Sequence, residues 1–357
     1  MGLIRPSSSP PGGADVSWPE VLGLLTAGRD LSEEQARAAM NEVMAGRAAP
    51  AQIAAFIVAL RIKGETVAEM TGLVRAMREA AVRVELEDLV LVDTAGTGGD
   101  HSGTFNISTT AALVAAGAGA KVAKHGNRAA SSRSGSADLL EGLGMVIELP
   151  PEATVRMVRE VGFGFFFAPL YHPAMRHAVP VRRELGVPTV FNFLGPLANP
   201  AGARRQALGV ADPRMAERMV GVLRELGAEY AFVYYGEDGL DELSTTGPSY
   251  IFRLKEGEIT HAEFTPEDFG VPRARPEQLT GGEVAENVAI TRAILSGKEL
   301  GPRRDIALVN AAPALVAAGL AWGFEEGMEL ATRSVEGGAA LSVLEKAVEM
   351  SRELAPR

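Results

Sequence analysis

The sequence predicts an α/β protein with a small N-terminal helical domain and a large α/β domain, its mostly parallel central sheet flanked by helices. Residues 16–84 carry helical periodicity and no strand signal. From Leu89 onward, short apolar runs alternate with helix-like segments, and Gly-, Ser-, Thr- and Asn-rich loops stand where those runs end. Such alternation indicates parallel strands joined by crossover helices, with ligand loops at the strands' carboxyl ends.

The N-terminal stretch 1–15 is rich in Pro, Ser and Gly and lacks an apolar signal core, so it reads as a flexible tail. In the helical region, Ser32 with Gln35 predicts a capping box. Pro50 can open the next helix, Ile53, Phe56, Ile57 and Leu60 share one face, and Gly64 can end it. Thr66 to Ala81 repeats the pattern. Leu89-Val90-Leu91-Val92 begins the sheet. Strands are expected at Lys121–Ala123, Met145–Ile147, Phe163–Phe167, Ala207–Val210 and Tyr230–Tyr235. Helices are expected at Ala111–Ala118, Ser136–Leu143, near Glu152–Val161 and at Pro213–Leu226. Tyr250–Leu254 and Ile259–Phe264 suggest an antiparallel addition, and the chain is mostly helical from Glu283. Pro173–Pro200 holds a helix-like part ending near Leu185, then a rigid loop marked by Gly195, Pro196 and Pro200.

Hydrophobic residues make up 46% and charged residues 22% of the 357 positions, which is ordinary for a soluble globular chain. Cysteine is absent, which excludes disulfides, thiolate catalysis and Cys-ligated zinc and fits a reducing cytoplasm. The net charge of −10 disfavours general attraction to nucleic acid or an anionic membrane. No apolar run reaches membrane-spanning length. An anionic substrate must therefore be captured by local groups.

Those groups lie in three loops. The first is Gly96-Thr97-Gly98-Gly99-Asp100, running on to Thr104. Its spacing fails the dinucleotide fingerprint, and no Walker A sequence occurs. Glycines here let backbone amides approach oxygen atoms; Asp100 suits a hydroxyl, an amide or metal-bound water. The second is Asn106-Ile107-Ser108-Thr109, at a predicted helix start, where capping and anion binding coincide. The third, Lys124-His125-Gly126-Asn127-Arg128-Ala129-Ala130-Ser131-Ser132, is the most specific. Lys124 offers a point charge for phosphate, Arg128 a fork or a buttress, and Asn127 both donates and accepts. Asp241-Glu242 follows a strand and is a candidate for magnesium, which takes one or two carboxylates, waters and substrate phosphates. Arg182 on a predicted helix could fix a carboxylate. Three loops, a Lys, an Arg and two acids suggest a polyphosphorylated, metal-dressed substrate.

Together with Ser136 in Ser134-Gly135-Ser136-Ala137-Asp138, Tyr171-His172-Pro173, the run Val181–Gly186 and the run Phe191–Pro200, this ordered set resembles the anthranilate phosphoribosyltransferases of tryptophan biosynthesis, over about residues 16–357. The resemblance implies domains at 16–88 and 89–357, with 173–200 returning to the helical domain, and a homodimer formed largely through the helical domains. It implies that phosphoribosyl pyrophosphate meets Gly96 to Asp100, Thr104, Asn106 to Thr109, Lys124 to Ser132 and Ser136. It implies two Mg2+ ions held by Ser108, Asp241 and Glu242. Anthranilate would meet Asn127 and Arg182, with His125 and Gly195 nearby; Arg182, His125 and Lys124 position the reactants. Met175 departs from members that carry an aromatic residue there, and a thioether–aromatic contact can substitute.

Two other readings stay open. A pyrimidine nucleoside phosphorylase shares the architecture, but its pattern lacks Lys124–Arg128. A nucleic-acid-binding relative of the transferase would show a basic excess, whereas this chain is acidic and retains Asp241-Glu242. The single-loop phosphoribosyltransferase signature, two acids directly before a Thr-Gly-Gly loop, is absent.

Overall fold

A computed structural model describes residues 16–129 and 133–356; the N-terminal stretch 1–15, Ala130, Ser131, Ser132 and Arg357 lie outside the described residues. The chain divides into two compact units. One runs to Ala80 and includes Ala174–Val190; the other comprises Ala81–Pro173 and Phe191 onward.

The first unit is helical. It contains α1 (Trp18–Thr26), α2 (Glu33–Met44), α3 (Pro50–Lys63) and α4 (Val67–Glu79). The expected capping box opens α2: Ser32 N donates to Gln35 Oε1 at 2.9 Å and Gln35 N to Ser32 Oγ at 3.2 Å. Gly64 ends α3 at a φ of 89°. At the centre is Glu69, fully buried. Its carboxylate accepts from Leu31 N at 2.9 Å, Thr66 N at 2.8 Å and Lys63 Nζ at 2.9 Å. It thus caps α4 and ties the loop before α2 to the end of α3.

In the second unit the chain order is β1 (Leu91–Gly96), α5 (Ile107–Gly117), β2 (Lys121–Gly126), α6 (Ser136–Gly142), α7 (Pro151–Val161), β3 (Phe163–Phe167) and the one-turn α8 (Ala168–Tyr171). A 3₁₀ turn at Pro173–His177 and α9 (Val179–Leu185) follow, and α9 packs on α3 in the helical unit. The α/β unit resumes with α10 (Phe191–Leu197), β4 (Arg205–Gly209), α11 (Pro213–Glu225), β5 (Tyr230–Gly236), β6 (Ser249–Lys255) and β7 (Glu258–Phe264). It closes with α12 (Val284–Leu295), α13 (Pro302–Ala318), α14 (Phe324–Glu336) and α15 (Ala339–Leu354).

The sheet order is β3-β2-β1-β4-β5-β6-β7. Strands β3 to β5 in that order are parallel, and β6 and β7 add antiparallel. Buried parallel strands read as continuous apolar runs, and Phe163–Phe167 is one, buried throughout. Helix α5 is buried along nearly its whole length against α13, α14 and α15, so from Ala111 its sequence is apolar on all sides. By contrast α7 and α11 cover β3 and β5 with one apolar face each. The strand order reverses between β1 and β4, which opens the crevice where ligands bind in such sheets.

Four sequence expectations change. Met145–Ile147 forms no strand: its side chains are largely buried in the core, but Val146 N donates to Ser351 Oγ of α15 instead of a ladder. Residues 191–197 are helical instead of a rigid loop, even though Pro196 lies inside the helix and supplies no N–H to it. The returning segment is 174–190, not 173–200, because the part after it is bound to the sheet: Gln206 Nε2 donates to Pro196 O and Asn199 Nδ2 to Ala123 O. The helical unit stops at Ala80, not 88, because Val82 N donates to Tyr171 O and Leu86 packs with Ala123, Val158 and Phe166.

Glu69→Ala should destabilise the helical unit by about 3 kcal/mol, because it leaves Lys63 buried with one partner fewer. Urea unfolding followed by circular dichroism measures this; a loss below about 1 kcal/mol would show that the carboxylate is replaceable by water.

Candidate active site

The loops after β1, β2 and β5 meet at the strand-order reversal. Asp241-Glu242, after β5, forms the centre, with both residues nearly fully buried. Asp241 Oδ2 accepts from Gly98 N at 2.7 Å, and Glu242 Oε1 accepts from Ser108 N at 3.0 Å. The acidic pair therefore clasps the first loop and the first turn of α5 together. A carboxylate at a helix N-terminus is electrostatically favoured there.

Two glycines make this approach possible. A Cβ on Gly96 would lie 2.3 Å from Asp241 Oδ2, and one on Gly209 would lie 1.6 Å from Asp241 O. These residues end β1 and β4, so the strand ends on both sides of the reversal are bare of side chain. The sequence reading gave Gly96 to the substrate's oxygens; within the protein its smallness admits Asp241.

Burial pushes the Asp241 carboxyl up to about 7, and neighbouring Asp100 adds to the effect. Burial, then Asp241 itself, likewise raises Glu242 well above the ordinary carboxylate range. Glu242 Oε2 is buried with no hydrogen-bond partner among the described residues. Clustered acids with an unsatisfied buried oxygen are a site that a cation completes. The described residues hold no cluster of three or more metal-binding His, Asp or Glu side chains. Two carboxylates beside Ser108 suit a hard ion that keeps waters and takes phosphate oxygens.

Lys124 corrects the sequence reading in one respect. Lys124, His125 and Gly126 belong to β2, not to a loop. The ammonium is buried and donates to Thr94 O at 2.5 Å. Burial lowers the Lys124 pKa, against the pull of Asp93, Glu242 and Asp241. Those three carboxylates are the groups that favour its charged form. Its neighbour Asp93 is raised to about 6 by burial, and Asp93 Oδ1 accepts from His125 N at 3.2 Å. His125 Nδ1 lies 3.2 Å from Gly195 O, and its ring is 5.1 Å from that of His172.

Around the centre, the loops are tied to one another. Asp100 Oδ2 accepts from Ser102 Oγ at 2.6 Å, and Ser102 Oγ is 3.2 Å from Thr104 Oγ1. Thr104 also pairs with Thr280 in an isolated bridge, and Gly281 N donates to Gly103 O. Asn106 does not cap α5 with its side chain. Its Nδ2 donates to Ser134 O at 2.8 Å, and its Oδ1 accepts from Asn287 Nδ2 at 3.1 Å. Ile107 and Thr109 have buried side chains, while Ser108 is partly exposed. Thr97, Gly98 and Gly99 form the open lip. Asn127, Arg128 and Ala129 are exposed, with Ser136 Oγ donating to Asn127 O at 3.2 Å.

Arg128 is a buttress here. Its guanidinium forks onto Glu141, with Nη2 3.0 Å from Glu141 Oε1, and lies 5.4 Å from the Phe167 ring centre. Asp138 Oδ2 accepts from Ala129 N and Gly135 N, both at 2.9 Å, and so closes the third loop. Sequence reading missed Asp138, Glu141 and Asn287. Asp138, three residues after Gly135, had the spacing of a capping box; Asn287 gave only a polar residue inside a helix. Arg182 and Met175 lie in the helical unit, Arg182 on α9 and Met175 in the 3₁₀ turn before it. Burial lowers the Arg182 guanidinium from its ordinary value.

Residues 88–341 match the model of the glycosyl transferase family a/b domain, and residues 19–81 that of the same family's helical bundle domain. An anthranilate phosphoribosyltransferase of Roseiflexus castenholzii is 55% identical over 92% of this chain and 96% of its own length. The crystal structure of the Thermus thermophilus enzyme of that name is 46% identical, with a TM-score of 0.88 over 93% of this chain and 99% of that one. The Saccharomyces cerevisiae enzyme, solved in complex with PRPP and Mg, is 27% identical with a TM-score of 0.88, over 96% of this chain and 99% of that one. With both domains matched and more than half of the aligned positions shared with such a relative, the chain belongs to the anthranilate phosphoribosyltransferase family.

Proposed function

We propose that this protein transfers the 5-phosphoribosyl group of phosphoribosyl pyrophosphate to the amine of anthranilate, a step of tryptophan biosynthesis, releasing pyrophosphate. The observation that carries this reading is the buried Asp241–Glu242 pair bonded to Gly98 N and Ser108 N at the end of the sheet. Phosphate loops and a cation site are then one structure. The yeast relative's complexes with PRPP and Mg and with 4-fluoroanthranilate are of the same kind.

In this reading the amine nitrogen bonds to ribose C1 as the C1–O bond to pyrophosphate breaks. The electron pair leaves with pyrophosphate, and the amine proton passes to solvent. Asp241, Glu242 and Ser108 would hold Mg2+, which would supply positive charge against the pyrophosphate leaving group. Asp100 lies beside Asp241 and adds to the negative field that calls for the ion. Lys124 balances part of that charge. The amide groups of the loop Gly96–Asp100 and the first turn of α5, with Asn127, Ala129 and Ser136, would cradle the phosphates and ribose. Ala130, Ser131 and Ser132 complete that set by the resemblance. Anthranilate's amine is neutral at pH 7, so orientation by Asn127 and Arg182 outweighs the need for a strong base. The same reading carries two Mg2+ ions, a homodimer and a cytoplasmic location; among the described residues no helix is long and apolar enough to cross a membrane.

Loss of anthranilate fluorescence, with phosphoribosyl pyrophosphate and Mg2+ present, is the direct assay. A folded protein with no signal above blank would overturn the reading. Replacing Asp241 and Glu242 together by Ala should abolish Mg2+-dependent turnover with little effect on folding, read from the thermal midpoint. A double variant with ordinary Mg2+ dependence would take these residues out of the site.

Arg182→Ala should raise the anthranilate KM roughly ten- to a hundredfold, the loss of a charge-assisted pair, and leave the phosphoribosyl pyrophosphate KM nearly unchanged. Aniline, which lacks the carboxylate, should be a poor substrate and indifferent to the change. If both amines respond alike, Arg182 is not the carboxylate's partner.

A further inference from the structure

Helix α13 carries one polar side chain in an otherwise apolar stretch, Ile306–Ala317, and that residue, Asn310, is fully enclosed. Asparagine is an unfavourable choice inside a helix, and burying its amide is costly unless every polar atom is bonded. Here each is. Asn310 Oδ1 accepts from Leu243 N at 2.8 Å, while Nδ2 donates to Leu243 O at 2.9 Å and to Ile306 O at 2.9 Å. The bond to its own helix fixes the side chain's rotamer; the other two grip both polar atoms of the residue that follows Glu242.

The segment's other anchor lies upstream, where Gly236 N donates to Leu240 O at 2.9 Å. Between these anchors stand only Asp241 and Glu242, with Gly209 crowded against the Asp241 carbonyl. The backbone cannot turn either carboxylate without breaking one grip. We propose that Asn310 is a positioning residue for the Asp241–Glu242 pair, a clamp from α13 on Leu243 that sets the direction in which both carboxylates meet the metal. The proposal rests on the transferase reading of that pair and deepens it: a residue in the middle of an apolar helix tunes Mg2+ capture without touching ligand.

The test uses Asn310→Leu, of similar size with no polar atom, and Asn310→Asp, which keeps the acceptor for Leu243 N and loses both donors. Hydrogen exchange on the metal-free proteins should show faster exchange confined to about residues 240–246, larger in Asn310→Leu than in Asn310→Asp. Calorimetric titration of phosphoribosyl pyrophosphate at a series of Mg2+ concentrations should show half-saturating Mg2+ raised about tenfold or more, the usual effect of losing a group that orients a metal ligand. The anthranilate KM should stay within about twofold, since the phosphate-side geometry alone is disturbed. An unmoved Mg2+ dependence in a folded variant overturns the proposal. So does exchange that rises throughout α13 and the sheet, or failure of both variants to fold, since either makes Asn310 a general support of the core. Wild-type protein that binds no phosphoribosyl pyrophosphate with Mg2+ would instead overturn the functional reading itself.

Discussion

Keeping two adjacent carboxylates out of water is the constraint around which the α/β unit is arranged. Burial alone raises both groups, and their proximity to each other and to Asp100 adds to it. The surroundings answer in kind. Lys124 of β2 draws the Glu242 carboxyl back down, the α5 N-terminus meets Glu242, and β1 and β4 end in glycine where Asp241 passes. Such a cluster is poorly placed for stability and well placed for binding a divalent ion, a trade that active sites commonly make.

The helices far along the chain also belong to this arrangement. Asn287 of α12 reaches Asn106, which reaches Ser134, so one amide chain joins a helix to two ligand loops. The same Asn287 accepts from Gly282 N, next to the segment that pairs with Thr104. Thr291, one turn on, shares a 3.0 Å hydroxyl contact with Thr110 of α5. Rigid elements thereby hold loops whose own composition would leave them loose, which is what a site assembled from loops requires.

Much of this was legible in the sequence. Helix periods, strand runs and glycine-rich punctuation located nearly every element, since local pattern and tertiary context agree there. Met145–Ile147 misled because a short apolar run fits a strand and a buried coil equally. The Phe191–Leu197 helix was hidden by Gly195 and Pro196, which usually break one. At the site, Asp241-Glu242 and the loop sequences announced themselves by chemistry. A charge after an apolar run reads as a loop residue, so the sequence places Lys124 beyond the strand; the structure carries β2 through it, pairs it with Phe165 of β3 and encloses its side chain. Asn287 acts on the site through the side chain of Asn106, far away in the chain, and Asp138 reaches back past its own cap to Ala129 N; neither of those partners is recorded by a local pattern.

Finally, the helical unit is built from two pieces of chain, with α9 packing on α3 after an excursion through β1, β2 and β3. About ninety residues separate Ala80 from Ala174. On a ribosome that interval lasts roughly 5–20 s. During it the four leading helices exist without the segment that completes them, and the first three strands of the sheet emerge before either unit is finished. The helical unit therefore cannot be completed before the first three strands have emerged, and a fragment cut after α4 would leave the α3 surface that α9 packs against uncovered.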